Sequence, residues 1–319
     1  MGVARQYCGQ VGKQDNCRVA VSLSVATWSA SLPVAFRLYL PEVWTQDEKR
    51  RREGGIPDET QFQTRPQIAL QQIRDAVKDG VTRGIVVADA GYGADGKFRA
   101  GVTALGLTYA VGVQSPLSVW APGTEPLPPL PRKQTGRLPK LLRGKDHLPL
   151  SARELAACLP AEAWEMITWR SGTRQKLRSR FAALRVRPAH RDDELAEQRA
   201  EEWLLIEWPK KEAEPAKYWL ATLPCDVKLK DLVAAAKQRW IIERDYEELK
   251  QELGLGHYEG RGWRGFHHHA TLCIAAYGFL LAERSRFSPS ARAGQLELCA
   301  PPVPPHFRPR GAARPGRAA

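Results

Sequence analysis

No two cysteines in this chain are spaced as metal ligands usually are. The six (Cys8, Cys17, Cys158, Cys225, Cys273 and Cys299) form no CxxC pair and no short-spaced cluster. This argues against structural zinc and a disulfide framework, and fits reduced thiols in a cytosolic protein. Long apolar runs are missing as well. The most apolar, Ala270 to Ala282, is shorter than the roughly 20 residues of a membrane span and reads as a buried helix. No signal peptide and no internal repeat is visible. Acid is in deficit: 48 Lys and Arg stand against 35 Asp and Glu, a net charge of +13. A generic basic surface would account for such an excess, but it favours a polyanionic partner, and nucleic acid first among them. A chain of 319 residues has room for one large domain or two modest ones.

The apolar pattern predicts a mixed α/β fold. Val19, Val21, Leu23 and Val25 alternate with small or polar residues, as do Val34, Phe36, Leu38 and Leu40, with Ser29-Ala30-Ser31 as the turn of a hairpin. After a charged stretch from Asp47 to Glu53, helical spacing runs from Arg65 to Asp79, with Ile68, Ile73 and Val77 near one face. Gly84 to Asp89 is apolar on both faces, as in a buried parallel strand. A short helix from Phe98 to Leu105 leads to a strand at Thr108 to Val113.

Ser115 to Leu150 is rich in proline, with Arg132, Lys133, Arg137, Lys140, Arg143 and Lys145 scattered through it. It reads as a solvated linker, or as a basic loop over DNA backbone. Strands follow at Leu177 to Val186, Trp203 to Trp208 and Tyr218 to Leu223, a β-rich insertion that interrupts the sheet and returns to it. One long helix is expected from Lys228 to Leu253 and a second, apolar one from Phe266 to Phe287. Beyond Ser288 the chain is dominated by Pro and Arg and reads as disordered.

Two places could carry chemistry. Asp89 stands at the carboxyl end of a strand, where open α/β sheets place ligands, with Gly91 and Gly93 permitting close backbone approach. A helix-capping Asp would look the same. On the long helix, Arg239, Glu243 and Lys250 would share a face at about 100° per residue. A carboxylate between two cations suits a divalent metal ion beside phosphate, although an i,i+4 surface ion pair fits Arg239 and Glu243 equally. Should the strand and the helix pack together, Asp89 and Glu243 could hold a pair of Mg²⁺ ions. His267-His268-His269 point in three directions on a helix and suit DNA contact or packing better than one metal. Trp169, Trp240 and Trp263 could stack on an unpaired base, but core or interface positions suit each better.

The block Arg239-Trp240-Ile241-Ile242-Glu243 with Lys250 resembles the tyrosine-arginine-glutamate-lysine signature of insertion-sequence DDE transposases. Val3-Ala4-Arg5-Gln6-Tyr7, Val87-Ala88-Asp89-Ala90-Gly91-Tyr92-Gly93, and the stretch from Glu243 through Gly262-Trp263-Arg264-Gly265-Phe266 to His269 are similar to the subgroup numbered 701. The resemblance implies a ribonuclease H-like mixed sheet with a β-rich insertion and C-terminal helices. It implies cut-and-paste transposition: two-metal cleavage and strand transfer with Mg²⁺ or Mn²⁺, at double-stranded DNA carrying terminal inverted repeats. Asp89 and Glu243 would be the second and third metal-binding acids, and Arg239 and Lys250 would contact phosphate. A homodimer on paired ends, no membrane partner and a nucleoid-associated cytoplasmic location also follow from it.

Two departures stand out. The signature's tyrosine position is Ala236, with Tyr246 a turn away as a substitute. The family's first catalytic Asp lies upstream of the block that here begins at Gly2, so the chain is expected to be truncated at its N-terminus, with its first strand missing and cleavage impaired. Asp15, in the turn-like Gly12-Lys13-Gln14-Asp15-Asn16, is a poor stand-in. The division expected is 1–113 for the first part of the core, 114–226 for the linker and insertion, 227–287 for the helices completing the core and 288–319 for the tail. A non-catalytic DNA-binding remnant that inhibits a full-length relative is the alternative.

Overall fold

The structure, a computed structural model, describes residues 1–9, 11–130, 140–171 and 176–287. The expected disordered tail and the basic residues Arg132, Lys133 and Arg137 lie outside the described residues. The chain opens with a hairpin absent from the expectation, β1 (Ala4–Cys8) antiparallel to β2 (Lys13–Cys17), turning at Gly12 with φ 66°. Asp15 therefore lies on a strand opposite Gln6, not in a turn. Four of the five β2 residues are exposed, so no alternation of polarity could announce it. The second hairpin, β3 (Ala20–Ala26) with β4 (Ser31–Leu38), falls where the alternation placed it, with Val21 and Leu38 buried.

Helix α1 (Glu42–Thr45) precedes the charged stretch and α2 (Glu48–Gly54) occupies it; Asp47 caps α2, and Gly55 ends it at φ 58°. Helix α3 (Arg65–Lys78) starts at a reciprocal cap between Thr64 and Gln67 and buries Ile68, Leu70 and Ile73. Then come β5 (Val86–Ala88), α4 (Ala90–Gly93), α5 (Gly96–Ala104), β6 (Tyr109–Val113), β7 (Ser118–Trp120), β8 (Leu150–Ser151) and α6 (Ala152–Ala157). The remainder is β9 (Glu165–Ser171), β10 (Lys176–Pro188), β11 (Glu202–Trp208), β12 (Lys217–Ala221), α7 (Leu229–Lys237), α8 (Trp240–Gln251) and α9 (Trp263–Phe287).

Eight strands form one sheet in the order β5-β6-β12-β11-β10-β7-β8, with β9 also on β10; β5–β6 is parallel and the other pairs are antiparallel. This is a mixed α/β architecture with C-terminal helices, as a ribonuclease H-like fold requires. The insertion strands extend the sheet directly: β12 pairs with β6. Three expectations need correction. Strand β5 is not buried on both faces; all three of its residues are partly exposed, because it ends the strand order and has β6 as its neighbour. The Pro-rich stretch is not simply a solvated linker in its described part. Strand β7 pairs with β10, Leu127 bridges Leu142, and Arg143 Nη2 reaches Asp192 at 2.6 Å.

The third correction concerns the long helix. It breaks after Lys237, leaving Gln238 and Arg239 in a turn between α7 and α8. No Gly or Pro marks the break. Tertiary contacts flank it: Lys237 pairs with Glu207 on β11, and the Arg170 guanidinium lies 3.6 Å from the Trp240 ring centroid.

By internal contacts the chain divides into two units, Met1–Gln61 with Ile241–Ala319, and Phe62–Trp240. In the first, Met1, Leu38, Leu40 and Ile56 cluster with Trp44, Trp263 and Phe266, while Leu249, Cys273 and Tyr277 form a second cluster with Tyr246 packed on it. In the second, α7 covers the sheet through Leu232, Val233, Ala235 and Ala236 against Phe181, Leu205 and Trp219.

His267 ties α9 to β4. Its Nε2 accepts from Leu38 N at 3.3 Å and its Nδ1 lies 2.9 Å from the Trp263 carbonyl, so the neutral ring carries its proton on Nδ1. Burial holds its pKa below the ordinary 6.5. Because the folded value is the lower one, the unfolded chain takes up the proton first as pH falls. The first unit should keep its full stability above pH 6.5 and lose stability below it. Urea midpoints measured on either side of that value should fall on the acid side, and His267→Gln should flatten the difference.

Candidate functional site

Asp89 sits at the carboxyl end of β5 and caps α4, its Oδ1 accepting from Gly91 N at 2.9 Å. The capping reading holds: one oxygen is engaged by backbone, and the side chain is exposed. What holds it there is close packing of α4 on β6. A Cβ on Gly93 would run into the Gly112 carbonyl oxygen and lie 3.0 Å from Val111, and one on Gly112 would lie 3.0 Å from Ala90 N. The close approach foreseen at Gly93 is made, but to β6 backbone.

A buried polar network, not foreseen from sequence, backs this corner. Arg99 on α5 is 5 % exposed and donates to the Gly93 carbonyl, closing off the C-terminal end of α4. Tyr109 and Glu202, at the start of β11, are buried near it and interact with its charge. Burial pushes the Glu202 carboxyl up, against the opposing charge of Arg99 and the Tyr109 hydrogen bond; burial likewise raises the Tyr109 hydroxyl. The acid that opens the apolar strand β11, Glu202, was the available signal for this network.

On α8, Glu243 and Lys250 are both exposed, while Ile241, Asp245 and Leu249 are buried. Seven residues are nearly two full turns, so Glu243 and Lys250 share the solvent face. Arg239 lies in the turn before α8, so the three do not project from one helix. Asp245, on the opposite face, accepts from the Tyr277 hydroxyl at 2.9 Å and anchors α8 to α9; burial raises its pKa. Tyr246 packs on the Leu249–Cys273–Tyr277 cluster, and Ala236 is buried between α7 and the sheet.

The tryptophans considered for base stacking are all engaged within the protein. Trp169 and Trp219 flank the Lys237 ammonium at 4.5 and 5.2 Å, Trp240 stacks under Arg170, and Trp263 lies 4.2 Å from the His267 ring. Two of the three histidines are packed: His267 is bound as above, and His269 Nε2 meets the Gly254 carbonyl at 3.0 Å, while His268 is exposed. Among the described residues no three of His, Cys, Asp and Glu stand together as a metal site. Asp89 has the right hard-oxygen chemistry for Mg²⁺ or Mn²⁺, but it does not complete a donor set with them. Asp89 and Arg239 belong to one unit and Glu243 and Lys250 to the other. No helix among the described residues is long and apolar enough to cross a membrane.

Comparison with known proteins agrees with the sequence pattern. The chain is 32 % identical over 114 residues to a protein of Microchaete diplosiphon named "Probable transposase for insertion sequence element IS701". That match takes in 35 % of this chain and 27 % of the relative, so the chain spans about a quarter of the length of the curated relative it matches. A family profile described as "DDE superfamily endonuclease" matches residues 1–176, more than half of the chain and inclusive of Asp89 and its supporting helix. With an α/β mixed sheet and an exposed acid at the carboxyl end of a parallel strand, the chain belongs to the DDE superfamily of endonucleases.

Proposed function

We propose that this chain acts on double-stranded DNA in the transposition of an insertion sequence, by strand cleavage and strand transfer at terminal inverted repeats, with paired ends held by a homodimer. The observation that carries this is Asp89, presented at the end of β5 inside the region that matches the endonuclease family. In this reading Asp89 and Glu243 are the carboxylates for divalent cations, Mg²⁺ or Mn²⁺. Such ions would supply a nucleophilic oxygen and neutralise charge on phosphate. Arg239 and Lys250 hold backbone phosphates. Gly91 N holds Asp89 Oδ1, which orients its carboxylate. The described residues bring together no complete donor set, and no cleavage step is derived through the ions.

In this reading cleavage by residues 1–319 alone is impaired, because only two of the three acids of the family's signature, Asp89 and Glu243, are identified in it. A second reading, a DNA-binding protein that does not cut and inhibits a full-length relative by mixed assembly, rests on the same shortfall. Purified 1–319 should bind duplex DNA and leave a plasmid carrying the inverted repeats un-nicked in Mg²⁺. Nicking that Glu243→Gln or Asp89→Asn abolishes would overturn the impairment and uphold the site. Nicking that survives both substitutions would sink the site assignment. Failure to bind any DNA would remove the whole reading.

A further inference from the structure

The face of the sheet turned away from α7 carries a charged feature that strand cleavage does not use. Alternate residues of a strand point to opposite faces. The row through Phe181 holds Glu165 on β9 and Glu207 on β11, and Phe181 is part of the core under α7. Those two acids therefore lie on the α7 side. The adjacent row runs Met166, Arg180, Trp208, and Arg178 stands opposite Thr168 one step further along that other face. Neither of these rows contains an acid.

One of the cations there, Arg180, is held in place. The Arg180 guanidinium lies 3.9 Å from the Trp208 ring centroid, and Trp164 meets Trp208 edge-on at 5.2 Å. Trp208 Nε1 donates to the Glu212 carbonyl at 2.9 Å, pinning the turn that carries Lys210. Met166, Arg178, Arg180 and Lys210 line a hollow of about 440 Å³. Stacking uses the flat face of a guanidinium and leaves its in-plane N–H groups to donate, at little further loss of side-chain freedom.

We propose that this hollow is a phosphodiester-binding surface, a grip on DNA backbone additional to Arg239 and Lys250, and the inference rests on the reading of the chain as acting on DNA. The chemistry favours phosphate over bases. Trp208 is already in contact with Arg180 and Trp164, so it is not an open stacking platform, and Arg178 and Lys210 are exposed cations. Contacts of that kind position a duplex without reading its sequence.

The test is binding of the full chain to a short duplex of arbitrary sequence, followed by fluorescence anisotropy over a salt series. Arg178→Glu with Lys210→Glu should weaken binding by about tenfold or more at moderate salt, and should flatten the slope of log K against log salt by about two for two lost phosphate contacts. Arg178→Lys with Lys210→Arg should bind as the unmodified chain does. Arg180 is left intact because its stacking supports Trp208. An unmodified chain that binds DNA beside a charge-reversed variant of equal affinity and slope would overturn the surface while leaving the DNA reading standing. No DNA binding by either would overturn the DNA reading itself. Displacement of the duplex by poly-glutamate at equal charge would reassign the hollow to an acidic protein segment.

Discussion

Lys237→Met is expected to destabilise the Phe62–Trp240 unit by about 3–5 kcal/mol, the usual result of leaving one member of a buried ion pair without its partner. The Lys237 and Glu207 side chains are 10 % and 4 % exposed, and the ammonium is ringed by Trp169, Trp219 and Phe181. Burial pulls the Lys237 pKa down, and the hydrogen bond and charge of Glu207 oppose that shift. With the ammonium gone, the Glu207 carboxylate stays in the core with no counter-charge. Removing both charges, as Lys237→Met with Glu207→Leu, should return stability to within about 1 kcal/mol of the unmodified protein, because the desolvation of the pair offsets most of its attraction. Tryptophan fluorescence follows this directly in urea, since two of the rings touch the ammonium. A single variant as stable as the unmodified chain would mean that the pair does not hold α7 to β11.

Gly93→Ala is expected to cost about 3 kcal/mol, at the upper end of what overpacking a close contact does. The added methyl would meet the Gly112 carbonyl, a backbone atom that cannot rotate away, so α4 would have to lift off β6 and carry Asp89 with it. Gly84→Ala is the control. Its Cβ would meet nothing within 4 Å, and the change should stay within about 0.5 kcal/mol. Equal melting of the two variants would show that α4 does not rest on β6 as described. If Asp89 serves the site, Gly93→Ala should also impair any function that Asp89→Asn impairs, even at temperatures where the unit remains folded.

Much of the fold was legible because local signals and burial agree there. The β3–β4 hairpin, α3, β6, β10, β11 and β12 stand close to where alternation, helical spacing and capping residues put them. Helix α9 also lies where it was expected, but it is not the buried helix its apolar run suggested: Ala270, Cys273 and Tyr277 are buried, whereas Leu272 and Phe279 are exposed. Where the signal was weak, the reading failed for identifiable reasons. Strand β2 is nearly all exposed and has no polarity pattern. Strand β7 hides in a proline-rich stretch and is held by pairing with β10 and by burial of Trp120. Of the candidate site, the residue types and the strand-end position of Asp89 could be read directly, because they follow from order along the chain.

By itself, then, the sequence determined the element types, the basic balance and the family, through patterns that repeat over a few residues and a motif contiguous along the chain. Tertiary structure alone decided the break between α7 and α8, the seating of α4 on β6, the burial of Arg99 beside Tyr109 and Glu202, and the acid-free rows around Arg178 and Arg180 at one end of β10. Each of these depends on residues far apart in sequence meeting across strands. The break illustrates the point: nothing from Lys228 to Leu253 forbids a continuous helix, and Glu207 and Arg170, which grip the residues either side of it, lie 30 and 70 positions upstream of Lys237 and Trp240.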